Sequence, residues 1–300
     1  MPLFSIIVQR LLLPVLLLAV AGCTTPPAPP VYVDLDTAAP FDRLCAKLEK
    51  DGFDGRVLRR YYTHPDVAFE QDGTALFFHH SESKLNYDQF LTTASLNRAR
   101  EYMQAQGRWL TAAQSAYTVD KEVITAILLV ETRFGAYLGT RPTLNILSSM
   151  ASLADPAMEA EFWQSIKETT TFTQEAYNKR VRDKSKWAYN ELKAFLTYVE
   201  KEKIENPVSL QSSYAGAVGI SQFMPSNILT LGRDGDNDGR VDLFTHPDAI
   251  FSVAAFLSHH GWKPGLDHQA AYKVLLNYNY SRPYAETVLK IRERLKTGPS

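Results

Sequence analysis

The chain has 300 residues, of which 45% are hydrophobic and 11% aromatic, and this is enough apolar material for a packed core. Its 32 basic and 33 acidic residues leave a formal net charge of −1, which argues against a polyanionic partner such as nucleic acid. The composition is therefore that of a globular protein whose partners are not nucleic acids.

The first part of the chain predicts export. Residues 1–22 place Arg10 before a short apolar segment, Leu11 to Val20, that is too short to span a bilayer, since about 20 residues are needed. Small residues then lead to Cys23, in a pattern that resembles the signal of bacterial lipoproteins. Cys23 is predicted to become the lipidated first residue of the mature protein. An ordinary signal peptide and an uncleaved anchor are the alternatives.

Residues 23–40 are predicted to be a lipidated cysteine followed by a stiff tether, because prolines dominate the segment from 24 to 30. Thr24, where some lipoproteins have aspartate, favours by resemblance the outer membrane of a Gram-negative cell. Lipidation of Cys23 would leave Cys45 as the remaining cysteine, so no disulfide is expected. Cys45 is predicted to be a small core residue on an apolar helical face.

Residues 41–300 are predicted to form one mainly helical domain. Weak alternation over Val67–His80 suggests a hairpin through Asp72-Gly73; strand signals are otherwise scarce, and nothing resembles a full sheet. The clearest internal seam is Asn206–Ser213. The predicted helices are Phe41–Lys50, Gly55–Tyr62, Tyr87–Ser115, Lys121–Arg133, Thr143–Leu153, Met158–Thr169, Thr173–Lys203, Pro225–Leu231, Pro247–His260, Gln269–Leu276 and Pro283–Lys296.

Glu131 is the strongest candidate for chemistry. Residues three, four and seven positions before it are Leu128, Ile127 and Ile124, so in a helix its carboxyl lies on an apolar face. A helix capped by Asp120 would place Glu131 in its last turns, where the macrodipole disfavours negative charge.

Poor solvation and the helix dipole both raise the pKa of such a carboxyl, so Glu131 is suited to donating a proton to a glycosidic oxygen. The helix is expected to stop at Gly135. The alternative is a solvated carboxyl, or one paired with Arg133 or Arg141.

A stretch of small residues, Ser212 to Ser226, is the second candidate. Its glycines, Gly216 and Gly219, permit left-handed turns and close backbone approach. Neutral hydrogen-bonding groups that suit a carbohydrate are supplied by Ser213, Tyr214, Ser221 and Gln222. A Gly-rich connector without function is the alternative.

The segment that follows resembles a calcium loop, with Asp234, Asp236 and Asp238 at loop positions 1, 3 and 5. Arg240 at position 7 would offer its carbonyl. Thr245 stands where the bidentate glutamate belongs, and Asp248 is the nearest later carboxylate that could close the site. A solvated acidic turn is the alternative.

A polar and aromatic turn, Asn277 to Tyr284, is the fourth candidate motif, and its aromatic and amide groups could line a sugar-binding groove. In order and spacing, the motifs from Val130 to Gly135, Ser213 to Gly219 and Gln222 to Ser226, the aspartate loop, and this last turn resemble the membrane-bound lytic murein transglycosylase B family. The resemblance runs from about Tyr117 to Leu295.

The resemblance implies a lysozyme-like helical catalytic domain with an additional helical lobe and a small EF-hand-like calcium loop, residues 234–248. It implies cleavage of the β-1,4 bond between N-acetylmuramic acid and N-acetylglucosamine, leaving 1,6-anhydro ends. Glu131 would first protonate the leaving oxygen and then deprotonate the muramyl 6-hydroxyl, so no second carboxylate is needed.

By the same resemblance, side chains for sugar binding are Ser213, Tyr214, Gln222, Tyr278 and Asn279. Ser221 replaces a glycine that the family often has. The structural calcium ion would be held by Asp234, Asp236, Asp238, Asp248 and the Arg240 carbonyl, and no organic cofactor is expected.

The expected partners are peptidoglycan glycan strands, the membrane through Cys23, and cell-wall enzyme complexes. A non-catalytic peptidoglycan-binding lipoprotein and a hydrolytic muramidase remain alternatives. A calcium sensor is disfavoured because the single irregular loop has no partner loop.

Overall fold

Residues 41–79 and 86–297 are described by the structure, a computed structural model, and they all belong to one compact unit. The predicted signal segment, Cys23 and the tether lie outside the described residues. Among the helices of the described part, none combines the length and apolarity needed to cross a bilayer.

The described chain is mainly helical, as predicted. The helices are α1 (Asp42–Lys50), α2 (Gly55–Tyr62), α3 (Gln71–His79), α4 (Thr93–Ala105), α5 (Gly107–Tyr117), α6 (Lys121–Thr132), α7 (Thr143–Ser152), α8 (Pro156–Ile166), α9 (Gln174–Lys201), α10 (Pro225–Leu231), α11 (His246–His259), α12 (His268–Tyr278) and α13 (Arg282–Lys296). Short 3₁₀ helices cover Tyr87–Phe90 and Pro207–Ser209. Strands β1 (Arg141–Pro142) and β2 (Gln211–Ser212) pair antiparallel.

Several helices begin at a side chain that accepts a hydrogen bond from the first turn. Thr92 caps α4, Thr245 caps α11, Asp267 caps α12 and Ser281 caps α13. Such a cap satisfies a backbone N–H that has no partner within the helix. The Ser281 Oγ accepts a hydrogen bond from the N–H of Tyr284 and so fixes Tyr284 at the start of α13. Tyr284 belongs to the candidate site described below.

The hairpin predicted over Val67–His80 is wrong, because most of that segment is helix α3. Thr74 and Phe78 are four residues apart and both buried, which is the spacing of one helical face. Gly73 lies inside the helix, where an added Cβ would come within 2.3 Å of the Ile146 side chain. The glycine therefore permits close helix packing and does not mark a turn.

The single helix predicted over Tyr87–Ser115 is also wrong. The segment divides into the 3₁₀ turn, α4 and α5. The Thr92 side chain accepts from the N–H of Ser95 and starts a new helix, and α4 ends at Ala105 with Gln106 as its C-cap. Hydrophobic periodicity continues across these breaks, so it could not reveal them.

Apolar side chains collect in three clusters. The largest is built mainly from α4, α5, α6 and α10 to α13. The second joins α1, α2 and α7 to the C-terminal half of α9, and the third joins α3 and α8 to its N-terminal half. This division agrees with a main helical domain and an added helical lobe. Cys45 packs with the second cluster, where burial, followed by repulsion from Asp42 and Glu49, raises its pKa to about 12.

Helix α6 lies at the centre of the largest cluster and packs against α4, α11 and α13. Seven consecutive residues, from Val123 to Leu129, are buried. Asp120 stands at its N-cap position, but the carboxylate makes no cap bond and instead pairs with Arg292 of α13 at 2.6 Å. The ion pair ties the start of α6 to the helix that also contacts its end.

Candidate active site

The C-terminal end of α6 presents Glu131. Leu128, Ile127 and Ile124 are fully buried beneath it, as predicted, and Glu131 itself is half-buried. The helix stops because Arg133, Phe134 and Gly135 have left-handed backbones with φ of 50°, 64° and 89°. The turn exposes the carboxyl at the edge of an apolar core.

Two tyrosines surround the carboxyl. The Tyr284 hydroxyl donates to Oε1 of Glu131 at 2.6 Å, and its ring stacks on that of Tyr278 with centroids 6.4 Å apart. Tyr87 packs edge-on against the Tyr284 ring. Burial, followed by the nearby Glu131 charge, raises the pKa of both Tyr278 and Tyr284 well above the ordinary value. Both hydroxyls therefore keep their protons near neutral pH and remain donors.

The two arginines near Glu131 in sequence have other partners. Arg141 forms an ion pair with Glu70, and Arg133 donates to Oε1 of Gln89. Each of these arginines therefore has a partner other than Glu131.

The segment Ser212–Ser226 forms a tight turn that runs past the end of α6. Oγ of Ser213 accepts from the backbone N–H groups of Ala215 and Ala217 at 3.3 and 3.2 Å. Gly216 has a φ of 86°, and an added Cβ would lie 2.6 Å from the Leu147 side chain. Ser213 therefore shapes the turn with its own hydroxyl, beside a half-buried Tyr214.

Gln222 lies farther along the same turn, with a left-handed backbone at φ 52°. Its Nε2 donates to the carbonyl of Gly219 at 2.9 Å and to that of Leu138 at 3.4 Å. Tyr278 donates to the Ser221 carbonyl at 2.6 Å. These bonds fix Gln222 and Tyr278 to the same short backbone segment, residues 219–221.

Ser221, the departure from the family pattern, is fully buried, and its Oγ has no hydrogen-bond partner among the described residues. Asn279 is half-buried directly after α12, where its backbone N–H bonds the Leu275 carbonyl. Its side chain makes no hydrogen bond to the described part of the chain and remains available to a ligand.

Thr132, next to Glu131, joins α6 to the segment Ser212–Ser226, which forms one wall of the candidate site. Its buried Oγ1 donates to the Ile220 carbonyl at 2.8 Å and accepts from the N–H of Gly135 at 2.9 Å. The N–H of Ile220 bonds the Leu243 carbonyl at 2.8 Å. Gly219 allows this approach, since a Cβ there would lie 2.5 Å from the Leu243 carbonyl oxygen. The end of α6, the wall and the segment after the aspartate loop thus form one bonded unit.

The aspartate loop brings three of the predicted ligands together. One carboxylate oxygen each from Asp234, Asp236 and Asp248 lie within 4.8 Å of one another. Asp238 is not part of this group, and its Oδ1 accepts from the backbone N–H of Arg240 at 2.8 Å.

Asp248 is nearly inaccessible, with 2% of its surface exposed. Its oxygens accept from the N–H groups of Gly235 at 2.8 Å and Asp242 at 2.6 Å. Burial, followed by repulsion from Asp236 and Asp234, raises its pKa to about 6. Converging carboxylates that disfavour one another's charge are the donor set expected of a hard divalent cation, so the residues fit calcium.

Several bonds connect the neighbours of the predicted residues. Tyr278 donates to the Ser221 carbonyl, next to Gln222, and Thr132, next to Glu131, donates to the Ile220 carbonyl. The N–H of Ile220 bonds the Leu243 carbonyl, which follows the aspartate loop. Tyr284 and Thr132 are the functional candidates that the sequence reasoning did not assign. Tyr284 is the last residue of the polar and aromatic turn that begins at Asn277, and Thr132 directly follows Glu131, so both were close to predicted residues.

A helical fold that holds one half-buried carboxyl against a neutral, tyrosine-lined wall defines a lysozyme-like domain. The chain belongs to the family described as Transglycosylase SLT domain, whose model matches residues 36–271. The resemblance noted from the motifs is confirmed.

A curated relative, membrane-bound lytic murein transglycosylase B of Escherichia coli (strain K12), is 29% identical over 177 residues. That alignment covers 59% of this chain and 41% of the relative, so the chain spans less than half of the relative's length.

Two solved structures share the fold. The Escherichia coli lytic transglycosylase Slt35 in complex with calcium has a TM-score of 0.68 and 21% identity, covering 88% of this chain and 95% of its own. SltB3 from Pseudomonas aeruginosa in complex with NAG-NAM-pentapeptide has a TM-score of 0.66 and 17% identity, covering 86% and 80%.

Proposed function

We propose that the chain is a peptidoglycan lytic transglycosylase. It cleaves the β-1,4 bond between N-acetylmuramic acid and N-acetylglucosamine and leaves 1,6-anhydro-muramic ends. The observation that carries this proposal is the bond from Tyr284 to the half-buried Glu131 in a chain of this family. The name of the curated relative and the muropeptide in the SltB3 complex support the substrate class.

Glu131 acts twice in the proposed reaction. As an acid it protonates the departing oxygen, and as a carboxylate it then accepts the proton of the muramyl 6-hydroxyl, which attacks the anomeric carbon and closes the ring. The Tyr284 hydroxyl, which keeps its proton, stabilises the carboxylate between the two transfers. A hydrolase would normally use a second carboxylate, whereas the neighbouring wall motifs offer neutral groups.

The neutral wall binds the sugars. Gln222 and Asn279 supply amide groups, and Tyr278 and Tyr214 supply rings and hydroxyls that suit a carbohydrate. Ser213 acts mainly by shaping the turn, because its Oγ already accepts two backbone bonds. Residues 41–300 constitute the catalytic domain in this proposal.

We expect a calcium ion in the aspartate loop, where it would stabilise the adjoining wall of the site. Asp234, Asp236 and Asp248 would hold it, with the Arg240 carbonyl as a further ligand. The ion would supply no chemistry to the reaction. It would neutralise the repulsion among the carboxylates and so stabilise the loop, whose neighbour Leu243 bonds the N–H of Ile220. The calcium in the Slt35 complex supports this reading.

The domain is held at the outer membrane by lipid attached to Cys23, after removal of residues 1–22, and faces the periplasm. The export pattern of the sequence and the membrane-bound relative support this location. Residues 23–40 serve as the tether that lets the domain reach the cell wall, where it works on glycan strands and joins cell-wall enzyme complexes.

Mass spectrometry of sacculi digested by the purified chain, beside its Glu131→Gln variant, tests the reaction. We expect muropeptides lighter than hydrolysis products by the mass of one water molecule, and none from the variant. Products that retain the water would indicate a muramidase instead. Equal product from the variant would reject Glu131, and no product from either chain would indicate a non-catalytic binding protein.

A further inference from the structure

Arg133 occupies a defined position beside the candidate site. Its Nη2 donates to Oε1 of Gln89, and its guanidinium lies 5.5 Å from the ring centre of Phe90 and 5.6 Å from that of Tyr137. Arg133 is half-buried and caps α6 with a left-handed backbone. Two rings and one amide therefore hold the charged group in place before any ligand arrives.

Its charge is not balanced by the described part of the protein. Arg43, Arg141 and Arg292 form ion pairs with Asp155, Glu70 and Asp120 respectively. Arg133 has no such partner among the described residues, since Gln89 offers a neutral oxygen. A fixed, half-buried guanidinium with a neutral acceptor retains most of its capacity to bind an anion.

Arg133 lies next to residues that are proposed to bind the glycan. Arg133 follows Glu131 by two residues, and the loop after it contributes the Leu138 carbonyl that Gln222 bonds. Gln89 and Phe90 belong to the same 3₁₀ turn as Tyr87, whose ring packs on Tyr284. The guanidinium thus lies at the rim of the Glu131 site, beside a Tyr137 side chain that is 68% exposed.

The chemistry of the substrate identifies the ligand. The sugars are neutral, and the neutral wall already suits them, so a guanidinium has no counterpart on the glycan backbone. The peptide attached to muramic acid carries free carboxylates, and a planar guanidinium binds a carboxylate through two parallel hydrogen bonds. We propose that Arg133 binds a carboxylate of this peptide and makes the site selective for peptide-bearing glycan. The inference rests on the proposed function.

Binding in the Glu131→Gln background separates recognition from turnover. Three disaccharide ligands are compared by calorimetry: one with its peptide, the same compound with its peptide carboxylates amidated, and one without peptide whose lactyl carboxyl is capped as an amide. Adding Arg133→Gln should weaken binding of the first about tenfold and leave the other two unchanged. Arg133→Lys should recover part of the loss. Arg108→Gln, which removes an exposed guanidinium lying over Trp109, should change nothing.

Weaker binding of all three ligands would overturn the proposal, because it would make Arg133 a support of the loop. Unchanged binding of all three would overturn it as well. Failure of the Glu131→Gln parent to bind any of the ligands would count against the proposed function itself. Binding of the peptide-free disaccharide, with no effect of Arg133→Gln on the peptide-bearing one, would reject only the Arg133 assignment.

Discussion

The Tyr284 hydroxyl lies 2.6 Å from Oε1 of Glu131, although 153 residues separate them in the chain. The contact depends on α13 packing along α6 and on the Ser281 cap that positions Tyr284 at the start of α13. Tyr284 is buried, with 1% of its surface exposed, so the bond is shielded from competing water.

Replacing Tyr284 with phenylalanine should lower kcat about tenfold or more with little change in KM, because one hydrogen bond to a carboxylate is lost. The rate of anhydromuropeptide release measures the effect. Tyr280→Phe is the control, since Tyr280 is 91% exposed and should tolerate the change. A Tyr284→Phe enzyme as fast as the parent would exclude a role for this bond in turnover.

Replacing Thr132 with valine should lower the free energy of unfolding by about 2–4 kcal/mol, because the Ile220 carbonyl and the Gly135 N–H both lose their buried partner. Thr132→Ser keeps the hydroxyl and should stay within about 1 kcal/mol of the parent. Denaturant titration compares the two variants. A Thr132→Val variant as stable as the parent would exclude a contribution from the two hydroxyl bonds.

Chelating calcium should lower the melting temperature of the parent chain, because a bound ligand stabilises the fold by about 2.7 kcal/mol at a hundredfold excess over its Kd. Asp248→Asn should abolish the calcium-dependent part of the shift. Asp238→Asn should preserve it, because Asp238 lies outside the carboxylate group. A melting temperature that chelation leaves unchanged, with no calcium found by elemental analysis, would remove the ion from the proposal.

Asp155 should contribute to stability in a pH-dependent way. Burial opposes its ionisation, but bonds from Arg43 and from the Ala157 N–H lower its pKa below the ordinary 3.8. The folded state therefore binds this proton less readily than the unfolded state, so the contribution is present above about pH 4 and is lost as pH falls through the lowered pKa.

The unfolding free energy of Asp155→Asn, which retains an oxygen to cap α8, should fall less steeply than that of the parent below pH 4. Asp183→Asn, an exposed position on α9, provides the comparison. If Asp155→Asn and the parent have parallel profiles, the Arg43 pair does not stabilise the fold.

Much of the fold followed from local patterns. The buried run ending at Glu131 and the proline at the start of α10 both lie where the sequence placed them. The wrong hairpin and the wrong single helix were predicted from local sequence patterns that tertiary packing overrides. Gly73 suggested a turn but serves close packing against Ile146, and a continuous apolar pattern hid the break at Thr92.

Within the site, sequence spacing predicted which residue types are present but not how each one is used. Asp238 has the spacing of a ligand, but it lies outside the group formed by Asp234, Asp236 and Asp248. Ser213 has the type of a sugar ligand, and in the structure its Oγ also accepts from the backbone of its own turn. Tyr284 could not be assigned from local pattern because its partner lies on a distant helix.

The orientation of the Gln222 amide determines which sugar substituents can form a hydrogen bond with it. Both hydrogens of Nε2 face backbone carbonyls, those of Gly219 and Leu138, so a ligand meets the oxygen end of the amide. That oxygen accepts hydrogen bonds and cannot donate them. The position therefore favours a sugar substituent with an N–H or O–H directed at it and disfavours one that presents only a carbonyl. The two backbone carbonyls therefore fix which end of the Gln222 amide faces the glycan before the glycan binds.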